Sequence, residues 1–160
     1  MIRYVNGDAT CPLDNGPKAI VHCCNDIGAW GAGFTYGLTK RWKAPRNRYS
    51  AWFTSRVNFE LGEIQLVEVE PDIVVVNLIG QHGVIGFSGD DVPDSVCQEP
   101  PIRYAAIRNG LKKVNEALTP EYSIHMPRIG CGLAGGEWKK VEEIINDELK
   151  DRLVTVYDYP

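Results

Sequence analysis

The sequence predicts an α/β fold in three layers, a central sheet between two layers of helices, and three observations carry that prediction. Runs of β-branched and apolar residues alternate along the chain with segments of helical period. The run Ile73-Val74-Val75-Val76 is continuous rather than alternating, as a strand covered on both faces requires. The breaks between runs carry Gly, Pro or Asp.

Taken in order, strands are expected at residues 2–5, 19–24, 63–69, 73–79, 122–126 and 153–157. Residues 34–42 and 49–52 suggest one or two helices after the second strand. Ile102, Ala105, Ala106, Leu111, Val114 and Leu118 form an apolar stripe of helical period, and Trp138, Val141, Ile144, Ile145 and Leu149 form a clearer one. Residues 81–101, QHGVIGFSGDDVPDSVCQEPP, follow neither period, and a loop of about twenty residues in a compact domain is typically functional or mobile. Its acidic stretch, residues 89–94, reads as a solvated loop. Trp30, Trp42, Trp52 and Trp138 read as core or pocket aromatics.

At 160 residues, 44% hydrophobic and 24% charged, the chain is expected to form one domain over residues 1–160. Its longest apolar runs fall far short of the roughly 20 residues of a membrane span, and MIRYVNGDAT lacks a signal-peptide core, so a cytosolic location is expected. Five cysteines, two of them adjacent (Cys23, Cys24) and none in C-x-x-C, suggest neither a disulfide framework nor a zinc finger. The net charge is −4, with no cationic run longer than pairs such as Lys112-Lys113 and Lys139-Lys140. That argues against non-specific duplex nucleic-acid binding and leaves backbone amides to hold an anionic ligand.

Two glycine clusters answer that requirement. RIGCGLAGGEW, from Arg128, places G-x-G-x-x-G between an expected strand and an expected helix. A dinucleotide-binding Rossmann fold would need further βαβ units after this one, and only residues 153–157 follow as a strand. The same glycines suit a phosphate cradle, where backbone N–H groups and a helix N-terminus meet an anion. HCCNDIGAWGAGF, from His22, repeats the arrangement at Gly28, Gly31 and Gly33. If both preceding strands are parallel neighbours, the two loops wall one crevice fit for a diphosphate. Cys131 in the second cluster lacks the elbow context of a nucleophile. Cys97 to Arg103 has C-x5-R spacing, but Pro100 and Pro101 remove amides that a phosphate loop needs. His125 alternates with Ile124 and Met126 and reads as a packed strand histidine. His22 and His82 each sit at a strand end, either as a general acid or base or as a hydrogen-bonding wall residue.

With GDAT at residues 7–10, HCCNDIGAWGAGF at 22–34 and MPRIGCGLAG at 126–135, the sequence resembles the macrodomain family of ADP-ribose binders over essentially its full length. It is most similar to the compact branch containing terminal ADP-ribose glycohydrolases and ADP-ribose 1″-phosphate phosphatases. The resemblance implies a macrodomain-like α/β/α fold with a mixed central sheet. It implies that Asp8 accepts from the adenine amino group, that Ala9 offers the base a backbone N–H, and that Tyr157 packs on adenine. It assigns the distal ribose to Asn25, the distal ribose and diphosphate to Gly31, Ala32, Gly33 and Phe34, and a second diphosphate loop to Gly130, Cys131, Gly132, Leu133 and Ala134. The lysine and aspartate of the glycohydrolase branch fall at Gln81 and Ala134, which disfavours a lysyl adduct; His22 matches a histidine of the phosphatase branch. The implied activity is hydrolysis of an ADP-ribosyl macromolecule or ADP-ribose 1″-phosphate by activated water, with His22, Asn25 and Gln81 as catalytic candidates. The alternative is a reader that binds ADP-ribose without turnover. No metal or other cofactor is implied. The expected partners are ADP-ribose or an ADP-ribosylated protein or nucleic acid, and no membrane.

Overall fold

The structure, a computed structural model, describes residues 2–31, 33–84 and 100–160. The expectations placed on Ala32, Cys97 and most of the long loop (residues 85–99) lie outside the described residues. The described elements run β1 (Ile2–Asn6), β2 (Lys18–Asn25), α1 (Phe34–Arg41), α2 (Ala44–Ser55), β3 (Ile64–Glu70), β4 (Ile73–Gln81), α3 (Tyr104–Ala117), β5 (Ser123–Met126), α4 (Trp138–Glu148) and β6 (Val154–Asp158). Each expected strand is present. The early helical segment resolves into two helices, because Pro45, with no N–H to donate, is accommodated only in the first turn of α2. α4 starts at Trp138, the first residue of its apolar stripe, with extended Glu137 as its N-cap.

The six strands form one sheet in the order β1-β6-β5-β2-β4-β3. Every neighbouring pair is parallel except β3–β4, so the sheet is mixed. Alternation along β2 divides the two cores: Ala19 and Val21 join Ile107, Leu111, Val141 and Ile145 of α3 and α4 on one face. Ile20 joins Leu38 of α1 and Val75 on the other, with Trp30, Phe34 and Trp42 packed around them. The result is a three-layer α/β/α fold around a mixed sheet, as expected. Because β1, β6, β5, β2 and β4 are parallel, their C-terminal ends share one edge of the sheet. That edge is where an open α/β sheet receives a ligand.

Candidate functional site

Along that edge lies a cleft of about 1210 Å³. Each parallel strand delivers a piece of its wall: Asp8 and Thr10 after β1, Asn25 and Ala29 to Gly31 at and after β2, Gln81 ending β4, Pro127 to Gly130 after β5, and Tyr159 after β6.

The first loop, residues 26–33, is organised by one side chain. Asn25 Oδ1 accepts from the amides of Ile27 and Ala29, both at 3.0 Å, and from the Tyr49 hydroxyl at 2.8 Å; Nδ2 donates to the Ala29 carbonyl at 2.7 Å. Tyr49 is fully buried in α2, and its single hydroxyl hydrogen is shared between Asn25 Oδ1 and the Asn25 carbonyl at 2.7 Å. Gly28 turns at φ 77°, with the Phe53 ring standing where a Cβ would go. The chain then enters α1 at Gly33, and the amides of Gly33 and Phe34 take no acceptor among the described residues.

The second loop, residues 127–137, is organised by its own backbone. Cys131 N donates to Arg128 O, Gly135 N to Gly132 O, and Gly136 N to Gly130 O at 2.7 Å, while Ala134 O receives Ile102 N. Three successive amides, those of Gly132, Leu133 and Ala134, are left without acceptors among the described residues. A run of successive N–H groups without acceptors is what an anion cradle requires.

Asp8 stands at one end of the cleft. Its Oδ1 accepts from Thr10 N and Thr10 Oγ1, both at 2.8 Å, and Oδ2 remains without a partner among the described residues. Gln81 Nε2 donates to Gly83 O at 2.9 Å. His22 lines the cleft yet is almost wholly buried, edge-on to Trp30 and tilted against Phe34. Asn77 donates through Nδ2 to Pro45 O and Gln65 Oε1, which turns its Oδ1 to His22 Nε2 at 2.5 Å. We therefore assign the proton of neutral His22 to Nε2, leaving Nδ1 bare. Burial lowers the His22 pKa to about 4, against the opposing effect of the Asn77 bond.

Eleven of the sequence-derived site residues line the cleft: Asp8, His22, Asn25, Gly31, Gly33, Phe34, Gln81, Gly130, Gly132, Leu133 and Ala134. Three do not. Ala9 is buried behind the wall. Cys131 packs toward the α3–α4 core. Tyr157 is a core residue, its hydroxyl donating to His125 Nδ1 or accepting from it at 2.7 Å and accepting from Leu13 N at 2.9 Å. It shares the sheet face of buried His125, and the exposed aromatic that β6 brings to the cleft is Tyr159, just beyond the strand.

Sequence reasoning missed Tyr49, the brace of the first loop, and Asp26, the partner of the strand-end His82 that it did single out. Asp26 Oδ2 meets His82 Nδ1 at 2.8 Å while Oδ1 accepts Gly83 N, tying the first loop to the end of β4 beside Gln81. It also missed Lys40, Arg41 and Arg128 in the wall. Arg128 forks onto Asp158 at 2.6 and 3.0 Å, which holds that carboxyl below its usual range. The adjacency of Asp26 to Asn25 and of His82 to Gln81 was the available signal for that pair.

No model of a known protein family matches the chain. The chromodomain-helicase-DNA-binding protein 1-like of Danio rerio is 33% identical over 163 residues, 99% of this chain but 16% of that protein, so the chain spans about one sixth of this relative. The ADP-ribose 1″-phosphate phosphatase of Saccharomyces cerevisiae is 22% identical over 98% of this chain and 97% of its own. A macrodomain protein from Streptomyces coelicolor has the same fold at a TM-score of 0.83 and is 42% identical, with each chain covered in full. Likeness of that degree from end to end means that the chain belongs to the macrodomain family.

Proposed function

We propose that the cleft binds ADP-ribose and that the protein hydrolyses a bond at the distal ribose, releasing ADP-ribose from a modified macromolecule or phosphate from ADP-ribose 1″-phosphate. The observation that carries this reading is the convergence of two amide loops on one cleft, with a carboxylate at one end and amide side chains at the other. Asp8 Oδ2 accepts from the adenine amino group, the amides of Gly132 to Ala134 and of Gly33 and Phe34 hold the diphosphate, and the loop braced by Asn25 presents the distal ribose. In the hydrolysis, a water oxygen bonds to the anomeric carbon or to the 1″-phosphorus, and the bond to the leaving group breaks. Gln81, whose Oε1 has no partner among the described residues, orients that water. Fixed donors around the developing charge lower the barrier without a covalent nucleophile. The phosphatase name of the yeast relative supports this chemistry.

A second reading, a reader without turnover, has its own observation. His22 at a pKa of about 4, with Nε2 committed to Asn77, is a poor base at neutral pH, and glutamine is none. The experiment is calorimetric titration with ADP-ribose, followed by incubation with ADP-ribosylated protein, ADP-ribosylated nucleic acid and ADP-ribose 1″-phosphate, beside His22→Ala and Gln81→Ala. Release abolished by Gln81→Ala supports the hydrolase. Binding with no release from any substrate leaves the reader, and no binding of ADP-ribose overturns both.

A further inference from the structure

We propose that the face formed by α1 and α2 docks a single-stranded nucleic acid bearing the ADP-ribosyl group that the cleft holds; the proposal rests on the ADP-ribose reading of that cleft. From residue 27 to residue 59 the sequence contains no Asp or Glu and six cations: Lys40, Arg41, Lys43, Arg46, Arg48 and Arg56. The remainder carries eleven Lys or Arg against 21 Asp or Glu. All six cations are exposed. Lys40 and Arg41 close α1 and line the cleft. Lys43 precedes α2, and Arg46, three residues on, shares its flank of the helix, so the cations continue outward from the cleft mouth.

In so acidic a chain these cations have few carboxylate partners: Arg41 meets Glu70 at 3.8 Å, while Lys43, Arg46 and Arg48 meet none among the described residues. Unneutralised cations beside an anion site raise the local concentration of a polyanion. Aromatic rings among them favour a nucleic acid over an acidic peptide. Tyr36 is 58% exposed at the cleft, with the Lys40 ammonium 4.7 Å above its ring, while Trp42, packed on the second core, seats the Arg41 guanidinium at 4.8 Å. Flat rings interleaved with cations stack unpaired bases. A single strand is favoured over a duplex because an unpaired nucleotide can carry its ADP-ribosyl group into a recessed cleft without unstacking neighbours.

The test is fluorescence anisotropy on the full chain, using a single DNA strand of about twelve nucleotides with one ADP-ribosyl group, the same strand unmodified, its duplex, an ADP-ribosylated acidic peptide and free ADP-ribose as competitor. At about 50 mM salt the modified strand is expected to bind at least about ten-fold tighter than free ADP-ribose, with most of that advantage gone at about 200 mM. Lys43→Glu/Arg46→Glu removes the advantage and lowers the salt slope by about one to two, with free ADP-ribose bound as before. If that variant unfolds, Lys43→Gln/Arg46→Gln makes the same test, with about three-fold weakening. Equal, salt-independent binding of modified strand and free ADP-ribose, or tighter binding of the peptide or duplex, overturns the proposal. If free ADP-ribose does not bind, the cleft reading fails by itself. The unmodified strand then decides the face, since its low-salt binding must weaken at least about five-fold in the charge-reversed variant.

Discussion

The two glycine loops that wall the cleft do the same work by opposite means. The first is held by side chains reaching in from elsewhere: Asn25 gathers Ile27, Ala29 and Tyr49 onto one carbonyl oxygen, and Phe53 fills the space above Gly28. The second is held mainly by backbone bonds among Arg128, Gly130, Gly132, Cys131, Gly135 and Gly136 packed on Ile102, with the Tyr104 hydroxyl accepting from Glu137 N only at its far end. A loop braced by side chains is vulnerable at its braces. One braced by its backbone is vulnerable where a Cβ is introduced.

The largest effect of a single substitution is therefore expected at Gly136. An added Cβ would stand 2.5 Å from the Gly130 carbonyl oxygen, which Gly136 N itself grips at 2.7 Å, and 2.5 Å from Ile102 Cδ1. Backbone cannot yield as a side chain can, so Gly136→Ala should lose about 2–3 kcal/mol of stability. It should also weaken ADP-ribose binding about 100-fold, read by thermal unfolding and calorimetry. Gly28→Ala meets only the Phe53 ring, besides its positive φ, and should be milder. The reverse ranking would break the comparison.

Next comes the brace of the first loop. Asn25→Ala strips the acceptor from two amides and a buried hydroxyl, and should cost about 2 kcal/mol. Tyr49→Phe removes one donor and should cost about 1 kcal/mol in urea unfolding. Amide protection at Gly135 and Gly136 should not change in either variant. Loss of protection there would show that the loops are not independently held.

Much of this was legible in the chain. Strands and helices follow from period and turn residues, and both loops announce themselves through Gly28, Gly31, Gly33, Gly130, Gly132 and Gly135. What escaped was long-range. Tyr49 lies 24 residues from the side chain it braces. Tyr157 and Tyr159 are separated only by where β6 ends, and that decides which one faces the His125 core and which the cleft. The cationic face escaped because charge was read as contiguous runs, whereas helices assemble it from residues spread over 40–48.

Acid should separate the loops further. A histidine of an unfolded chain titrates near 6.5, and burial lowers both His22 and His125 to about 4 in the fold. Above about pH 6.5 both states are neutral and the full stability is present. As pH falls from 6.5 toward 4 the unfolded state binds protons first, so stability is lost, by on the order of 3 kcal/mol per histidine. His22 lies against Trp30 and Phe34 of the first loop, whereas His125 bonds Ser123 and Tyr157 beneath residues 8–17. Protection factors at Ala29 should accordingly fall before those at Gly136 between about pH 6.5 and 4.5. His22→Gln should remove about half of the pH slope.

The smallest effect is expected where the sequence draws the eye most, at the cysteine between glycines. Burial raises the Cys131 thiol above its ordinary pKa even with Arg128 nearby to lower it, so no thiolate is available at neutral pH. Its amide is already given to Arg128 O, and its side chain packs toward the core rather than lining the cleft. Neither its sulfur nor its N–H is therefore left for a ligand, and the amides without acceptors among the described residues belong to the three residues that follow. Cys131→Ala should change stability by about 1 kcal/mol or less and ADP-ribose affinity by less than about two-fold. A ten-fold loss of affinity in a variant that unfolds at the parent temperature would mean that a side chain, and not the backbone alone, shapes the second loop. The distinction between the loops would then be one of degree.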